Sequence, residues 1–170
     1  PEKRWTNLRD WHELYCAGHL FEAAVAHYQT TGRTSFLNIA TRFADYIDSV
    51  FGPPPKRAGY PGHPEIELAL VKLGRVTGNP RYFDLARFFL ETRGQKFFAV
   101  EHQIPLDKYD GSYFQDDVPI WDHQNIKGHA VRAAYLMSGA TDIAAQTGDP
   151  RLLRMLDRVW RNTAERNQYL

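Results

Sequence analysis

The chain has 170 residues, 43% hydrophobic and 14% aromatic, which is enough for one domain with a buried core and too apolar for disorder. Its 21 basic and 20 acidic residues leave a net charge of +1, so charge argues against nucleic acid and anionic membrane surfaces as partners. No apolar run approaches the roughly 18 residues that a membrane span requires.

Asp10 as N-cap, with Glu13 three residues later, predicts a capping box opening a first helix. Leu14, Gly18, Phe21, Val25 and Tyr28 share one face of it, and Gly32 stops it as a C-terminal glycine. Thr34 or Ser35 caps a second helix with the stripe Phe36, Ala40, Phe43, Ile47 and Phe51, ended by Gly52-Pro53-Pro54-Pro55. The third starts near Pro64, carries Glu65 and Glu67 at the positive end of its dipole, and runs to Val76. Asn79-Pro80 caps a fourth, with Tyr82, Leu85, Ala86 and Phe89 on one side and Gly94 at its end. Residues 95–124 have no sustained period, and their aromatic content argues for an ordered, functional loop with at most a short ribbon. A fifth helix covers 124–146. Asp149-Pro150 caps a sixth, with Leu152, Leu156, Val159 and Trp160 on its buried side.

One pattern is written three times. Gly18-His19, Gly62-His63 and Gly128-His129 each open an apolar stretch that closes at Thr31-Gly32, Thr77-Gly78 and Thr147-Gly148. A second helical segment follows each closure, starting at Phe36, Tyr82 and Leu152. Such self-similarity marks a stacked array of helical hairpins. Odd-numbered helices read as apolar nearly all round, and even-numbered ones carry charge on one face. Buried-then-exposed alternation predicts an all-α fold of helical hairpins forming about half of an (α/α)6 barrel, over 1–170, with an open solenoid as the competing arrangement.

The repeat brings His63, His129 and one of His12 or His19 to one rim. Neutral imidazole both donates and accepts hydrogen bonds, which suits sugar hydroxyls. Gln115, Asp116 and Asp117, with Trp121 beside them, suggest carboxylates and an aromatic platform at a carbohydrate site. Adjacent Asp116 and Asp117 lack the gap that paired glycosidase carboxylates need. Glu22, Glu65 and Glu67 read as dipole-compensating or hydroxyl-binding groups. The spacing of the histidines matches no local metal-ligand pattern, so no metal is assigned within the chain. Cys16, the only cysteine, excludes a disulfide framework, favours a reducing, cytoplasmic setting and reads as a packing residue.

The segments His12-Glu13-Leu14-Tyr15-Cys16-Ala17-Gly18-His19-Leu20, Gly59-Tyr60-Pro61-Gly62-His63-Pro64-Glu65-Ile66-Glu67-Leu68-Ala69-Leu70 and Gly128-His129-Ala130-Val131-Arg132-Ala133 resemble glycoside hydrolase family 127, the β-L-arabinofuranosidase family. Gln115-Asp116-Asp117-Val118-Pro119-Ile120 resembles the family's lead into the third pair. The resemblance implies an (α/α)6 catalytic barrel in a longer chain. It also implies a cysteine nucleophile held by zinc on further cysteines and a glutamate, in motifs this chain lacks. Cys16 does not match the nucleophile's motif. What carries over is sugar binding by His63, His129 and one of His12 or His19, with Gln115 and Asp116 as further candidates and a carbohydrate as partner.

The opening Pro1-Glu2-Lys3-Arg4 and the ending Asn167-Gln168-Tyr169-Leu170 read as the edges of a fragment. The expected protein is therefore part of an arabinofuranosidase-like glycosidase, inactive alone and self-associating through its uncovered flank. The alternatives are a non-catalytic helical scaffold that binds protein, or another toroid enzyme such as an unsaturated uronyl hydrolase using Asp116 or Asp117 as acid/base.

Overall fold

In the computed structural model, residues 2–166 are described; Pro1 and residues 167–170, which carry part of the expected fragment edges, lie outside them. Seven helices form among the described residues: α1 (Glu13–Thr31), α2 (Ser35–Val50), α3 (Ile66–Thr77), α4 (Pro80–Thr92), the short α5 (Phe97–Glu101), α6 (Ala130–Thr147) and α7 (Pro150–Arg166). The α1/α2, α3/α4 and α6/α7 pairs are three hairpins. In the inner layer α3 packs between α1 and α6, and α2, α4 and α7 lie outside. This is an all-α, partial toroid.

The hairpin closures repeat in atomic detail. Thr31, Thr77 and Thr147 each donate a hydroxyl to the carbonyl four residues back and accept the backbone N–H two residues on. Gly32, Gly78 and Gly148 then cap their helices at φ near 70°, the left-handed conformation glycine adopts without strain. Thr-Gly is therefore a hairpin device, and its recurrence is structural.

α3 is buried on nearly every side, as its composition predicts; Ile66, Leu70, Val71 and Leu73 are all in the core. α6 is different. Val131, Ala134, Ser138 and Thr141 form an exposed stripe on it. On α7 the buried positions are Leu152, Met155 and Val159, whereas Trp160, expected inside, is 69% exposed. It follows Val159 by one position, which turns it about 100° away from the buried stripe.

Four boundaries differ from the sequence reading. His12, not Asp10, is the N-cap of α1; the Asp10 carboxylate is held by Arg9 and Asn7, and Glu13 instead accepts the Trp5 N–H at 2.8 Å. α3 begins after Glu65, not at Pro64, because the backbone at Glu65 is non-helical. α4 stops before Gly94, where Arg93 turns extended and drives its guanidinium into the core, bonding the carbonyls of Pro61 and Phe114 and the Glu67 carboxylate. α6 starts at Ala130 rather than 124. Gln115 pulls the Lys127 carbonyl out of helical register at 2.8 Å, and Gly128 has a positive φ, with Ser112 where a Cβ would go.

The 95–124 segment holds no ribbon. It contains α5 and two 3-10 turns, at Gly111–Phe114 and Ile120–Asp122. The Glu101 carboxylate in α5 accepts the N–H groups of Leu8 and Arg9 and so fastens the N-terminal segment.

Candidate functional site

Three different local structures deliver the histidines, although the sequence motif is the same. His19 lies in the second turn of α1, His63 in the irregular lead-in to α3, and His129 at the N-cap of α6. By position, the counterpart of His129 is His12, the N-cap of α1. Each glycine of the three pairs is a close-approach point: a Cβ at Gly18 would strike Glu65, and one at Gly62 would strike the Arg9 carbonyl. The recurring Gly-His is thus a place where another segment presses against the chain beside an imidazole.

The four imidazoles meet in one cluster. The His63 ring lies 4.4 Å from that of Tyr15, 5.7 Å from Tyr135, 5.8 Å from His12 and 6.0 Å from His129. His19 joins through Tyr15 at 4.4 Å and Tyr135 at 6.0 Å. Nearly all these contacts are edge-to-face, the arrangement ring quadrupoles favour. Both His12 and His19 therefore belong to the cluster. His12 is exposed and the other three are partly exposed, so all are reachable from solvent.

Hydrogen bonds assign the tautomers. His63 Nδ1 faces the Pro64 carbonyl at 2.8 Å, and a carbonyl only accepts, so Nδ1 carries the proton and Nε2 presents a lone pair. His129 Nδ1 accepts the Arg132 N–H at 3.3 Å, so neutral His129 presents Nε2–H. His12 Nδ1 donates to the Asp10 carbonyl at 3.0 Å, leaving its Nε2 as an acceptor. Burial pushes the His63 pKa down to about 4, with help from Arg132, His12 and His129, so it stays neutral across the ordinary pH range.

Arg132 connects two of these units. While its N–H holds His129, its Nε donates to the Gly62 carbonyl at 3.0 Å, and its guanidinium lies 4.5 Å from the Tyr113 ring centre. Reading motifs alone missed Arg132, Tyr15 and Tyr135. Tyr15, four residues before His19, was readable from helical spacing; Tyr135 was not, because only the α3–α6 packing brings it to His63.

The other predicted site residues sit elsewhere. Asp116 is fully buried and accepts from the Tyr109 hydroxyl at 2.9 Å, the Phe98 N–H at 3.2 Å and the Tyr60 hydroxyl. Burial, then the adjacent carboxylate, raises both phenol pKa values. Gln115 is buried too, bonded to the carbonyls of Ser112 and Lys127. Both residues organise the 95–129 connection, and neither offers a free group to a sugar. Asp117 pairs with Lys127. The ring of Trp121 is covered by Arg151 at 4.2 Å, and its carbonyl is held by Arg158. Cys16 is exposed, not packed, so a packing role does not hold for it.

A family model described as β-L-arabinofuranosidase, GH127 catalytic domain, matches residues 1–170. The chain belongs to the GH127 family. It is 39% identical to a non-reducing end β-L-arabinofuranosidase of Bifidobacterium longum subsp. longum, over 98% of this chain and 27% of that one. The crystal structure of a GH127 β-L-arabinofuranosidase from Geobacillus stearothermophilus T6 superposes with a TM-score of 0.93 at 44% identity, covering 99% of this chain and 28% of that one. A further GH127 β-arabinofuranosidase structure gives 0.83 at 40% identity, over 94% and 24%. The chain thus spans about a quarter of the length of these GH127 relatives. Membership sets aside the uronyl hydrolase alternative; Asp116 is buried and bonded through both oxygens, and Asp117 is paired with Lys127 through one. The zinc that the resemblance implies, on several cysteines, does not fit the residues present, since Cys16 is the only cysteine in the chain. No helix among the described residues is long and apolar enough to cross a membrane.

Proposed function

We propose that His12, His19, His63 and His129, with the edges of Tyr15 and Tyr135, bind the terminal L-arabinofuranosyl unit of a β-L-arabinofuranoside. The reading extends to this chain what the names of its GH127 relatives say of them. One observation carries it: His63 offers an acceptor and His129 a donor, in fixed tautomers, with ring centres 6.0 Å apart. A sugar hydroxyl donates to the first and accepts from the second. Tyr15 and Tyr135 supply apolar edges for the carbon-bound hydrogens of the ring.

On this reading the segment contributes sugar recognition and no nucleophile. The 170-residue chain alone is inactive, and its single cysteine favours a reducing, cytoplasmic setting. Carbohydrate is its partner, to the exclusion of nucleic acid and membrane.

Kinetics of the full-length enzyme on an aryl β-L-arabinofuranoside test the binding role. His63→Ala and His129→Ala should each lower kcat/KM by at least about tenfold, the effect of losing one hydrogen bond to the sugar. Unchanged kcat/KM in both variants would refute it.

A further inference from the structure

Glu65 is the one acid of the inner layer, among the described residues, that no Lys, Arg or backbone N–H pairs with. It is 0% exposed, and its polar neighbour is the Glu22 carboxylate, with which it shares a hydrogen bond when one of the two carries a proton. The groups around it pair among themselves. On α3, Lys72 binds Glu22 Oε1, and Glu67 binds Arg93 through one oxygen and the Glu65 N–H through the other. On α1, His19 turns Nδ1 toward Glu65 Oε1 at 3.5 Å and toward Glu22 Oε2 at 3.7 Å. From α6 only the neutral phenol of Tyr135 approaches. With Glu22–Lys72 and Glu67–Arg93 each balanced, Glu65 is left with the Glu22 carboxylate and the His19 ring beside it.

The separations decide what fills the gap. One donor atom each from His19, Glu22 and Glu65 lies within 4.8 Å of the others. Two ligands held about 2.0–2.2 Å from one ion at a tetrahedral angle lie roughly 3.4 Å apart, close to the spacing around His19 Nδ1. That distance is long for a hydrogen bond from His19 to either carboxylate and right for donors converging on a shared ion. Gly18 provides the room, since a Cβ there would sit 1.4 Å from Glu65 Oε2. One imidazole and two carboxylates without a thiolate suit Mn2+ or Zn2+ better than Mg2+ or Ca2+, which prefer all-oxygen shells.

We propose that His19, Glu22 and Glu65 form a binding site for one divalent transition-type cation, with Glu65 as its buried ligand. His19 would ligate through Nδ1, keeping Nε2–H for the neighbouring cluster. Lys72 would stay on Glu22 Oε1 while Oε2 turns to the ion. Without an ion, burial, a hydrogen bond to Glu22 and the Glu22 and Glu67 carboxylates raise Glu65 to about 10, so it holds a proton that it shares with Glu22. Cation uptake then replaces that proton: the O–H bond breaks, the carboxylate oxygen coordinates, and one H+ leaves to solvent.

The test is a titration of the full-length protein with Mn2+, following free Mn2+ by electron paramagnetic resonance, without sugar. The proposal expects saturable binding of one Mn2+ per chain. Glu65→Gln, which keeps the shape of the side chain, should weaken binding by at least about tenfold. Asp142→Asn, altering a surface carboxylate paired with Arg75, should not. Absence of binding at about 1 mM Mn2+, or equal binding by the wild type and Glu65→Gln, would overturn the proposal. Either result leaves the sugar-binding reading standing, because no step of that reading uses the ion.

Discussion

Gly18 and Glu65 occupy a space that one side chain can fill: a Cβ on Gly18 would lie 1.4 Å from Glu65 Oε2 and 2.9 Å from the Ile66 Cα. Glycine in a helix interior normally costs about 1 kcal/mol relative to alanine. Here the sign reverses. Gly18→Ala should destabilise the protein by about 1–3 kcal/mol, because α1 must move away from the start of α3. A urea midpoint equal to or above that of the wild type would contradict this packing.

His63 should titrate far below an ordinary histidine. Its folded-state pKa, about 4, lies under the unfolded value of 6.5, so its contribution to stability is complete above pH 6.5 and is lost as pH falls toward 4. In that window the unfolded chain takes up a proton that folded His63 refuses. Following the His63 Cε1–H resonance against pH should give a midpoint near 4; a midpoint near 6.5 would show the ring to be solvated.

Asp116 is the knot of the 95–129 connection. Asp116→Ala leaves two phenols and the Phe98 N–H without their acceptor and should cost at least about 3 kcal/mol in thermal or urea unfolding. Asp116→Asn keeps one acceptor oxygen and should cost less. Full stability with lost sugar affinity in Asp116→Ala would show instead that its carboxylate serves the ligand.

Local signals made the hairpins legible and left the connection opaque. Thr-Gly closures, Asn79-Pro80 and Asp149-Pro150 act through bonds within a few residues of themselves, so the sequence displays them directly. The histidine cluster was readable as a repeat, but the repeat misled about geometry: His19 sits inside α1 while His63 and His129 precede their helices. Residues 95–129 are held by partners far along the chain, such as Tyr60 to Asp116 and Arg93 to Phe114, and no periodicity records those. The same holds for Glu65. Its position reads as a dipole-compensating acid, and only α1 packing on α3 reveals that it is buried against Glu22 and paired with no Lys or Arg.

The α6/α7 flank carries an apolar groove of about 500 Å³ lined by Ile126, Met137, Leu153, Leu156, Val159 and Trp160. Two of its large apolar side chains, Trp160 at 69% and Leu153 at 50%, lie open to solvent, and exposed apolar surface favours association. The isolated 170-residue chain should therefore pair with a second copy through this face, and Trp160→Glu should return it to a monomer. Light scattering that shows the wild-type chain monomeric at high concentration would refute this, as would a dimer that Trp160→Glu leaves intact.

The central claim is that His63 and His129 present opposite hydrogen-bonding faces to one sugar. Two-bond 1H–15N correlation spectra of the histidine-labelled full-length protein test it most directly. The account predicts a protonated Nδ1 on His63 and a protonated Nε2 on His129, with both Nε2 resonances shifting together on titration with L-arabinose. The opposite tautomers, or saturation with sugar that moves neither Nε2 signal, would contradict it.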